Sequence, residues 1–478
     1  MTMKQQKTPL YDEIVLHKKR KPISFHVPGH KNGQIFPKEA EASYKELLKL
    51  DVTELTGLDD LHDPEGVIKN SEQLLAELYG VQSSSFLVNG STVGNLAMIM
   101  ASINDADTVL VQRNCHKSIQ NGLQLVNANP VFLNPEYDQE WKVAGGLSYQ
   151  TVQSAIEAYP EAKALIVTYP NYYGMVYDLE RIITLAHQHG IAVLVDEAHG
   201  AHFIAGTIFP KSAVDLGADI VVQSAHKTLP AMTMGSFLHF NSELISVDVL
   251  NNYLHILQSS SPSYPIMASL DLARSYLGTL SDSDLVYLEK QITTFRKQLS
   301  NIAGIKVLEY ASGQGDFLKI TIQSTSADSG FDLQTKLEEQ GIFAELADPF
   351  NVLLVAPLLK DGQSYPFAEV IEKVSQAVSP VLLESEKHKF KYYHKKQLSR
   401  LELSYKEMKN RRKHKVPLSN AIGEIAAEMI VPYPPGIPLL FPGEIITGKD
   451  IEHVQWLLNK GTKFQGGESL KQGFIYVY

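Results

Sequence analysis

The chain has 478 residues, of which 44% are hydrophobic and 20% are charged, and its formal net charge is -10. Single domains mostly contain about 50 to 250 residues, so two or three domains with substantial cores are expected, and disordered or fibrous proteins are excluded. The negative charge disfavours nucleic acid as a partner and is compatible with a small cationic ligand.

Cysteine usage and the N-terminus predict the cellular location. Cys115 is the only cysteine, so no internal disulfide can form and a reducing compartment is expected. The N-terminal segment 1–20 is rich in Lys and Gln and lacks an apolar signal region, and no run of about 18 apolar residues follows it. We therefore expect a cytoplasmic protein that does not enter a membrane.

Between residues 84 and 240, short apolar runs alternate with helical patterns, which predicts a parallel sheet with crossover helices. The predicted strands are 85–88, 108–112, 164–168, 191–195, 219–223 and 235–240. One helix is predicted over 179–189, ended by Gly190, and another starts at Val93. Ligands of open α/β sheets bind beyond the carboxyl ends of the strands, so the residues that follow each run are site candidates.

Beyond residue 259, predicted helices at 269–280 and 286–299 and predicted strands at 306–309 and 317–322 indicate a smaller α+β domain. The predicted domains are a large ligand-binding domain over 21–260, the small domain over 261–385 and a C-terminal domain over 386–478. The basic stretch 385–415 is interpreted as a solvated helix face rather than an anion site; it includes Lys387, Lys389, Lys391, Lys395, Lys396, Arg411, Arg412 and Lys413. The Pro-rich stretch 431–443 is predicted to be ordered but not helical.

Two neighbouring predicted strand ends carry opposite charges. Asp196 follows one strand, and Lys227 lies just after the next, with one crossover between them. Pyridoxal phosphate (PLP) needs an amine to bind its aldehyde, an acid beside its ring nitrogen and donors for its phosphate. We therefore predict PLP as the cofactor, bound covalently by Lys227 and paired at its ring nitrogen with Asp196.

The predicted phosphate site is the turn Gly90, Ser91 and Thr92, between a strand and a helix. Backbone N–H groups at a helix start, with two hydroxyls, form an anion site, although the same pattern is also that of an ordinary helix cap. The turn lacks the Gly-Lys ending of a nucleotide-binding loop. Ser224 and His226, beside the lysine, are further candidate phosphate ligands.

Two residues are predicted to contact the faces of the pyridine ring. His116 follows the strand 108–112 and is expected to stack on one face, and Ala198, two residues after Asp196, is small enough to pack on the other. Each of these residues taken alone favours a structural role. Their joint placement at successive strand ends favours a cofactor site.

The residues resemble those of the Orn/Lys/Arg decarboxylase family, in particular its short-chain bacterial members with the aspartate-aminotransferase-like PLP fold. The matching segments are FHVPGHKNG from Phe25, TELTGLDDLHDPEG from Thr53, VNGSTVGN from Val88, RNCHKS from Arg113, DEAHGAH from Asp196, SAHKT from Ser224, LQSSSPSY from Leu257 and VPYPPGIPLLFPGE from Val431. DEAHG and HKT are widespread within the fold, whereas the first and last segments are more specific to the family.

The resemblance implies the PLP-dependent transferase fold type I, with a mainly parallel sheet in the large domain, smaller α+β domains and a homodimer or higher homo-oligomer. It implies that Lys227 carries PLP, that Asp196 pairs with the pyridine nitrogen and that His116 stacks on the ring. It places Ser91, Thr92, Ser224 and His226 around the phosphate. The implied reaction is decarboxylation of arginine, lysine or ornithine to a polyamine-pathway amine, with Lys227 or His199 as the group that returns a proton to Cα.

The distribution of arginines favours decarboxylation over transamination. Aminotransferases of this fold commonly hold the substrate carboxylate with an arginine of the small domain, but no arginine lies between Arg296 and Arg400. A carboxylate that leaves as CO2 is better left without so strong an anchor. The cationic end of the substrate needs an acidic partner, for which the candidates are Asp59, Asp60, Asp63, Glu65 and Glu444; most of them can equally be solvated loop carboxylates.

Other PLP enzymes remain as alternatives. An aminotransferase is one, and an α-oxoamine synthase is another, but no basic site for acyl-CoA is evident near the motifs. A cysteine desulfurase needs a mobile thiol, whereas Cys115 directly follows a strand. A non-catalytic PLP-fold protein is disfavoured because all the catalytic groups are present. No metal site is predicted.

Overall fold

The computed structural model describes residues 3–311, 313–378, 396–433 and 438–478. The basic residues Lys387, Lys389, Lys391 and Lys395 lie outside the described residues, as does the predicted domain boundary at 385–386. Among the described helices, none is both long and apolar enough to cross a membrane.

The α-helices are, in chain order, α1 (Pro9–Lys19), α2 (Lys38–Leu48), α3 (Val67–Tyr79), α4 (Gly90–Ser102), α5 (Lys117–Leu125), α6 (Tyr149–Ala158), α7 (Leu179–Gln188), α8 (Ala225–Thr228), α9 (Val247–Leu257), α10 (Tyr264–Gly278), α11 (Asp282–Ser300), α12 (Gly330–Glu339), α13 (Phe367–Ala377), α14 (Tyr405–Asn410) and α15 (Gly448–Asn459).

The β-strands are β1 (Ser83–Leu87), β2 (Thr108–Gln112), β3 (Asn129–Leu133), β4 (Tyr137–Asp138), β5 (Val143–Ala144), β6 (Ala164–Thr168), β7 (Ala192–Asp196), β8 (Ile220–Gln223), β9 (Ser236–Phe240), β10 (Ile305–Val307), β11 (Lys319–Ser324), β12 (Leu346–Ala347), β13 (Asn351–Val355), β14 (Leu398–Arg400), β15 (His414–Pro417), β16 (Val431–Tyr433), β17 (Lys463–Gln465) and β18 (Phe474–Val477).

The structure changes three local predictions. Asp196 is the last residue of β7 rather than the residue after it. The segment that starts at Gly90 is the first turn of α4 rather than a separate turn, because Gly90 adopts a φ of +79° and so turns the chain directly from β1 into the helix. The described part of the basic stretch, from Lys396, forms β14, α14 and β15 rather than one helix face, although residues 411–415 are exposed as expected.

The chain divides into two compact units, the first formed by Met1–Ala101 with Leu194–Asp282 and the second by Ser102–Val193 with Ser283–Tyr478. In the first unit, β7 pairs with β8 in parallel, with Asp196 opposite Val222. Strands β8, β9 and β1 then pair in antiparallel fashion. Every residue of β7 and β8 is buried, which explains why both strands are continuous apolar runs.

In the first unit, α4 lies very close to the strands because of Gly94. A Cβ atom at this position would lie 2.7 Å from Leu87 Cδ1 of β1 and 2.8 Å from Val222 Cγ1 of β8. Only glycine therefore allows this approach without displacing a strand residue. The contact fixes the N-terminal turn of α4 against the strands.

The second unit contains the parallel pairs β6–β2 and β2–β3, with β14 added in antiparallel fashion to β3. A separate antiparallel sheet has the order β10-β11-β13-β12. The C-terminal segment forms the pairs β15–β18 and β16–β17 and packs its own apolar cluster, which includes Ala426, Ile430, Leu440, Val454 and Ile475. The predicted α/β class is confirmed, and antiparallel strands β1, β9 and β14 accompany the parallel strands that were predicted.

We predict that Gly94→Ala lowers the free energy of unfolding by about 1–3 kcal/mol, because the added methyl overpacks the contact of α4 with β1 and β8. The higher helix propensity of Ala opposes this effect by about 1 kcal/mol. Urea denaturation measures the difference. Gly29→Ala is the control, since a Cβ at Gly29 meets nothing within 4 Å; equal stability of the two variants would contradict the prediction.

Candidate active site

Lys227 lies beside a histidine in the first unit. It belongs to the short helix α8, which begins directly after Ser224 at the end of β8. Lys227 Nζ is 3.1 Å from Nε2 of His199, a residue of the loop after β7 that is 4% exposed. An amine and an imidazole at this distance can exchange a proton.

The carboxylate of Asp196 is held by two donors. Asp196 is 3% exposed, and its Oδ2 accepts a hydrogen bond of 2.9 Å from Nδ2 of Asn95, while its Oδ1 accepts one of 3.2 Å from the backbone N–H of Ala198. Asn95 lies on α4 and is 1% exposed. Asn95 was not among the predicted site residues, although it is the one amide within the otherwise apolar helix segment VGNLAMIM.

The two predicted phosphate segments meet in the structure. Ser224 Oγ donates to Ser91 Oγ at 2.8 Å, which joins the end of β8 to the first turn of α4. Thr92 is exposed in the same turn. His226 is half-buried, and its Nδ1 donates to the carbonyl of Gly235 at 3.0 Å.

These groups fit PLP, judged by the chemistry of the donors that the first unit brings together. It contains Gly90, Ser91, Thr92, Asp196, Ala198, His199, Ser224, His226 and Lys227. They supply an amine for the aldehyde, a carboxylate whose orientation is fixed, and hydroxyls at a helix start for the phosphate.

His116 lies in the second unit as the N-cap residue of α5, in the segment that follows β2. Its Nδ1 is 3.2 Å from the backbone N of Ser118 and 2.8 Å from Ser118 Oγ, and the residue is half-buried. These contacts fix the orientation of the imidazole. Its stacking on the pyridine ring stays a prediction.

The carboxylate of Asp59 is hydrogen-bonded to backbone N–H groups. Its carboxylate accepts hydrogen bonds from the N–H groups of Glu65, Gly66 and Ile68, at the start of α3. Burial by itself raises the pKa of Asp59, but the backbone hydrogen bonds, including those from Glu65 and Gly66, outweigh it and hold the pKa below its usual value. This geometry is that of a capping carboxylate, which weakens the case for Asp59 as a substrate ligand.

The carboxylate of Glu444 is likewise occupied by structural contacts, which lie within the second unit. Arg113 binds it through both guanidinium Nη atoms, with Nη2 to Oε2 at 2.7 Å, and each side chain of the pair is 7% exposed. The backbone N–H of Phe441 donates to the same carboxylate. A buried bidentate pair of this kind is structural in geometry.

The other three acidic candidates lie in the loop before α3. Asp60 is half-buried and accepts from the backbone N–H of His62, while Asp63 and Glu65 are exposed. Asp63 and His62 also line a cavity of about 510 Å³ with Glu72. The role of Asp60, Asp63 and Glu65 in substrate binding stays a prediction, and Glu72 is not among these candidates.

Glu197, directly after Asp196, is fully buried and was not among the predicted site residues. Burial raises its pKa to about 8, against the opposing hydrogen bonds from the N–H of Ala213 and the side chains of Gln223 and Ser212. Nearby Asp215 acts in the same direction as burial. Asp196 and Glu197 are adjacent in sequence, but their carboxyl groups have different hydrogen-bond partners.

The fold is that of the PLP-dependent enzymes of fold type I, and comparison with known proteins places the chain more closely. The family model described as Orn/Lys/Arg decarboxylase, major domain, matches residues 8–315, and the C-terminal domain model of the same family matches residues 384–475. The chain belongs to the Orn/Lys/Arg decarboxylase family. The expected class of enzyme, a decarboxylase of basic amino acids, is thereby confirmed.

Full-length relatives and a solved structure agree with this assignment. The chain is 46% identical to Uncharacterized protein YaaO of Bacillus subtilis, with 98% of each chain covered. It is 33% identical to Arginine decarboxylase of Bacillus subtilis, with 99% of this chain and 98% of the relative covered. The constitutive lysine decarboxylase of E. coli superposes with a TM-score of 0.82 at 20% identity, covering 99% of this chain and 82% of that one, and confirms the predicted fold.

We predict that the stability contributed by Glu197 falls as the pH rises from 5 to 8. The folded chain keeps this proton up to about pH 8, whereas an unfolded chain loses it near pH 4.3, so the folded state binds more protons in between. The stability that Glu197 contributes is therefore complete below the unfolded-state pKa of about 4.3 and is lost as the pH rises through the folded-state pKa of about 8. Urea denaturation at several pH values should show that the free energy of unfolding falls less between pH 5 and 8 for Glu197→Gln than for the wild type.

Glu369→Gln is the control for this measurement. Glu369 is exposed, and its hydrogen bond with Lys373 lowers its pKa, so its contribution does not change between pH 5 and 8. If the pH dependence of Glu197→Gln equals that of the wild type, Glu197 does not carry the proton.

Proposed function

We propose that the chain decarboxylates a basic amino acid, using PLP bound to Lys227. The observation that carries this proposal is the meeting of Lys227 Nζ with His199 Nε2 at 3.1 Å, beside the buried Asp196 at the ends of two neighbouring parallel strands. Bound PLP supplies an electron sink for the bond to the departing carboxylate.

Asp196 holds a proton on the ring nitrogen of the cofactor by the attraction of its negative charge. Asn95 and the N–H of Ala198 fix the plane of this carboxylate, so that it does not reorganise when the cofactor binds. Asn95 is in this sense a positioning residue of the proposed site.

Lys227 and His199 are the proposed donors of the proton that the substrate Cα receives after CO2 leaves. The pair lies within hydrogen-bonding distance, so a proton can reside on Lys227 Nζ or on His199 Nε2. Burial of His199 limits exchange of this proton with water. Ser91 and Ser224, with Gly90, Thr92 and His226, form the proposed phosphate site at the start of α4.

Arginine ranks first among the three proposed substrates. The relative named Arginine decarboxylase is 33% identical over nearly the whole length, whereas the Pseudomonas aeruginosa protein Lysine decarboxylase LdcA is 26% identical. Of the acidic candidates, Asp60, Asp63 and Glu65 are less committed to structural contacts than Asp59 and Glu444. They are the proposed partners of the cationic end.

The arginines on either side of the arginine-free stretch also have structural partners. Arg296 donates to the carbonyl of Lys319 at 2.6 Å and lies 3.6 Å from Glu309. Arg400 lies over the ring of Tyr159. These contacts support a decarboxylase over an aminotransferase, in which an arginine would bind the substrate carboxylate.

The proposal extends to a cytoplasmic homodimer in polyamine biosynthesis. The single thiol, Cys115, is buried, which suits a reducing compartment. The apolar side chains of Ile23 and Phe25 are 83% and 94% exposed, and a second copy would cover such residues. The proposed domains remain 21–260, 261–385 and 386–478, and the start of the matched C-terminal segment at residue 384 supports the last of these boundaries.

We predict that Lys227→Ala abolishes both covalent attachment of PLP and release of CO2. Wild-type protein should be yellow, and borohydride reduction followed by peptide mapping should place the adduct on Lys227. The matched control is Lys211→Ala, which removes an exposed lysine of the same unit. An adduct that persists in Lys227→Ala refutes the assignment.

We predict that arginine releases CO2 with the highest kcat/KM among arginine, lysine and ornithine. The assay measures labelled CO2 and the amine product for each substrate. Formation of keto acid from pyruvate-dependent turnover without CO2 would instead indicate an aminotransferase. A higher kcat/KM for lysine would overturn the ranking but not the reaction class.

A further inference from the structure

A buried chain of hydrogen bonds runs through the first unit, across β8, β9 and β1. Gln223 Nε2 donates to Glu197 Oε2 at 2.6 Å, and Gln223 Oε1 accepts from His239 Nε2 at 3.0 Å. His239 Nδ1 accepts from Ser84 Oγ at 2.8 Å. At most 5% of each of these four side chains is exposed.

This hydrogen-bond chain is anchored at Glu197. The N–H of Ala213 donates to Glu197 Oε1 at 2.7 Å, and Ser212 Oγ lies 2.7 Å from Oε2 of the same carboxyl group. Gly200 packs directly on the same side chain, since a Cβ there would lie 2.7 Å from Glu197 Cγ. The carboxylate therefore has one position, set by contacts from three segments.

His239 fixes the donor and acceptor order of this hydrogen-bond chain. Burial lowers the pKa of His239 to about 3, so the ring is neutral and has one donor and one acceptor nitrogen. Tyr79 of α3 stacks on this ring with centroids 4.0 Å apart, and its hydroxyl donates to the carbonyl of Ala201. The chain is thus held from the side as well as from its ends.

The chain lies on the face of the strands opposite to Asp196. Successive side chains of a strand point to opposite faces, and the N–H of Glu197 continues the ladder by donating to the carbonyl of Val222 at 2.9 Å. Asp196 contacts α4 through Asn95, whereas Glu197 contacts Gln223 on the other face. Gln223 directly precedes the segment that contains Lys227.

We propose that Glu197 is a positioning residue, which acts through Gln223 to fix the end of β8 against the end of β7 and so sets the position of Lys227 relative to Asp196. The proposal rests on the proposed function, in which those two residues bind one cofactor. Catalytic groups displaced by about 1 Å lose on the order of 100-fold in rate, so a fixed spacing matters.

Two substitutions of similar length separate hydrogen bonding from packing. Glu197→Gln keeps the chain intact, because the Gln223 amide can rotate and His239 can move its proton to the other nitrogen. Glu197→Met fills the space but breaks the chain at its anchor. We expect kcat to stay within about threefold of the wild type for Glu197→Gln and to fall about 10- to 100-fold for Glu197→Met, with KM nearly unchanged.

Glu72 supplies the matched control. Glu72 is half-buried, desolvation raises the pKa of its carboxyl to about 8 as it does for Glu197, and it accepts from the N–H of Phe86 at 2.8 Å, apart from the hydrogen-bond chain of Glu197. Glu72→Met should lose stability but keep its kcat. A merely structural role for Glu197 would make the two Met variants alike.

Two readouts do not depend on turnover. The absorbance of bound PLP against pH should shift its midpoint by about one unit in Glu197→Met but not in Glu197→Gln. In the protein without cofactor, the N–H of Lys227, which donates to the carbonyl of Ser224, should exchange with solvent about tenfold faster in Glu197→Met. If that variant does not fold, Gln223→Met breaks the same chain and replaces it in every comparison.

The proposal is overturned if Glu197→Met keeps the kcat, the PLP titration and the exchange rate of the wild type, or if Glu72→Met loses kcat equally. If the wild type neither binds PLP nor releases CO2, the proposed function has failed instead. The exchange comparison still decides in that case whether Glu197 holds the two strand ends together.

Discussion

The parallel pairing of β7 with β8 is the constraint on which the candidate site depends. Because Asp196 stands opposite Val222, the carboxyl ends of the two strands lie at one edge. One short helix beyond that edge then suffices to present Lys227. The backbone hydrogen bonds between β7 and β8 thus bring the ends of two segments that are distant in sequence to the same edge.

The surrounding contacts keep that edge in one arrangement. Gly94 lets α4 approach the strands, which carries Asn95 to Asp196 and Ser91 to Ser224. On the other face, the buried chain from Glu197 joins the same strand ends. Each strand end is therefore held from both faces, which is the preorganisation that a site for charge stabilisation requires.

Much of this site could be predicted from the sequence, because fully buried parallel strands are visible as apolar runs and their ends as polar residues. Lys227, Asp196 and Ser224 were predicted to lie at strand ends in this way, where the structure has them, and the family motifs suggested the chemistry that is proposed for them. Asn95 and Gln223 were not found, since their roles depend on which helix or strand packs beside them. Asp59 and Glu444 look like free acids in the sequence, but the backbone of α3 and Arg113 occupy them.

The opposite orientation of Asp196 and Glu197 has a consequence for how the chain tolerates change. Because side chains alternate along a strand, a shift of β7 by a single residue against β8 would exchange the two carboxyls between the faces. Asp196 would then face Gln223, and Glu197 would face α4. Insertions or deletions within β7 should therefore be far less tolerated than substitutions there, and natural variation in length should be confined to the loops that precede this strand.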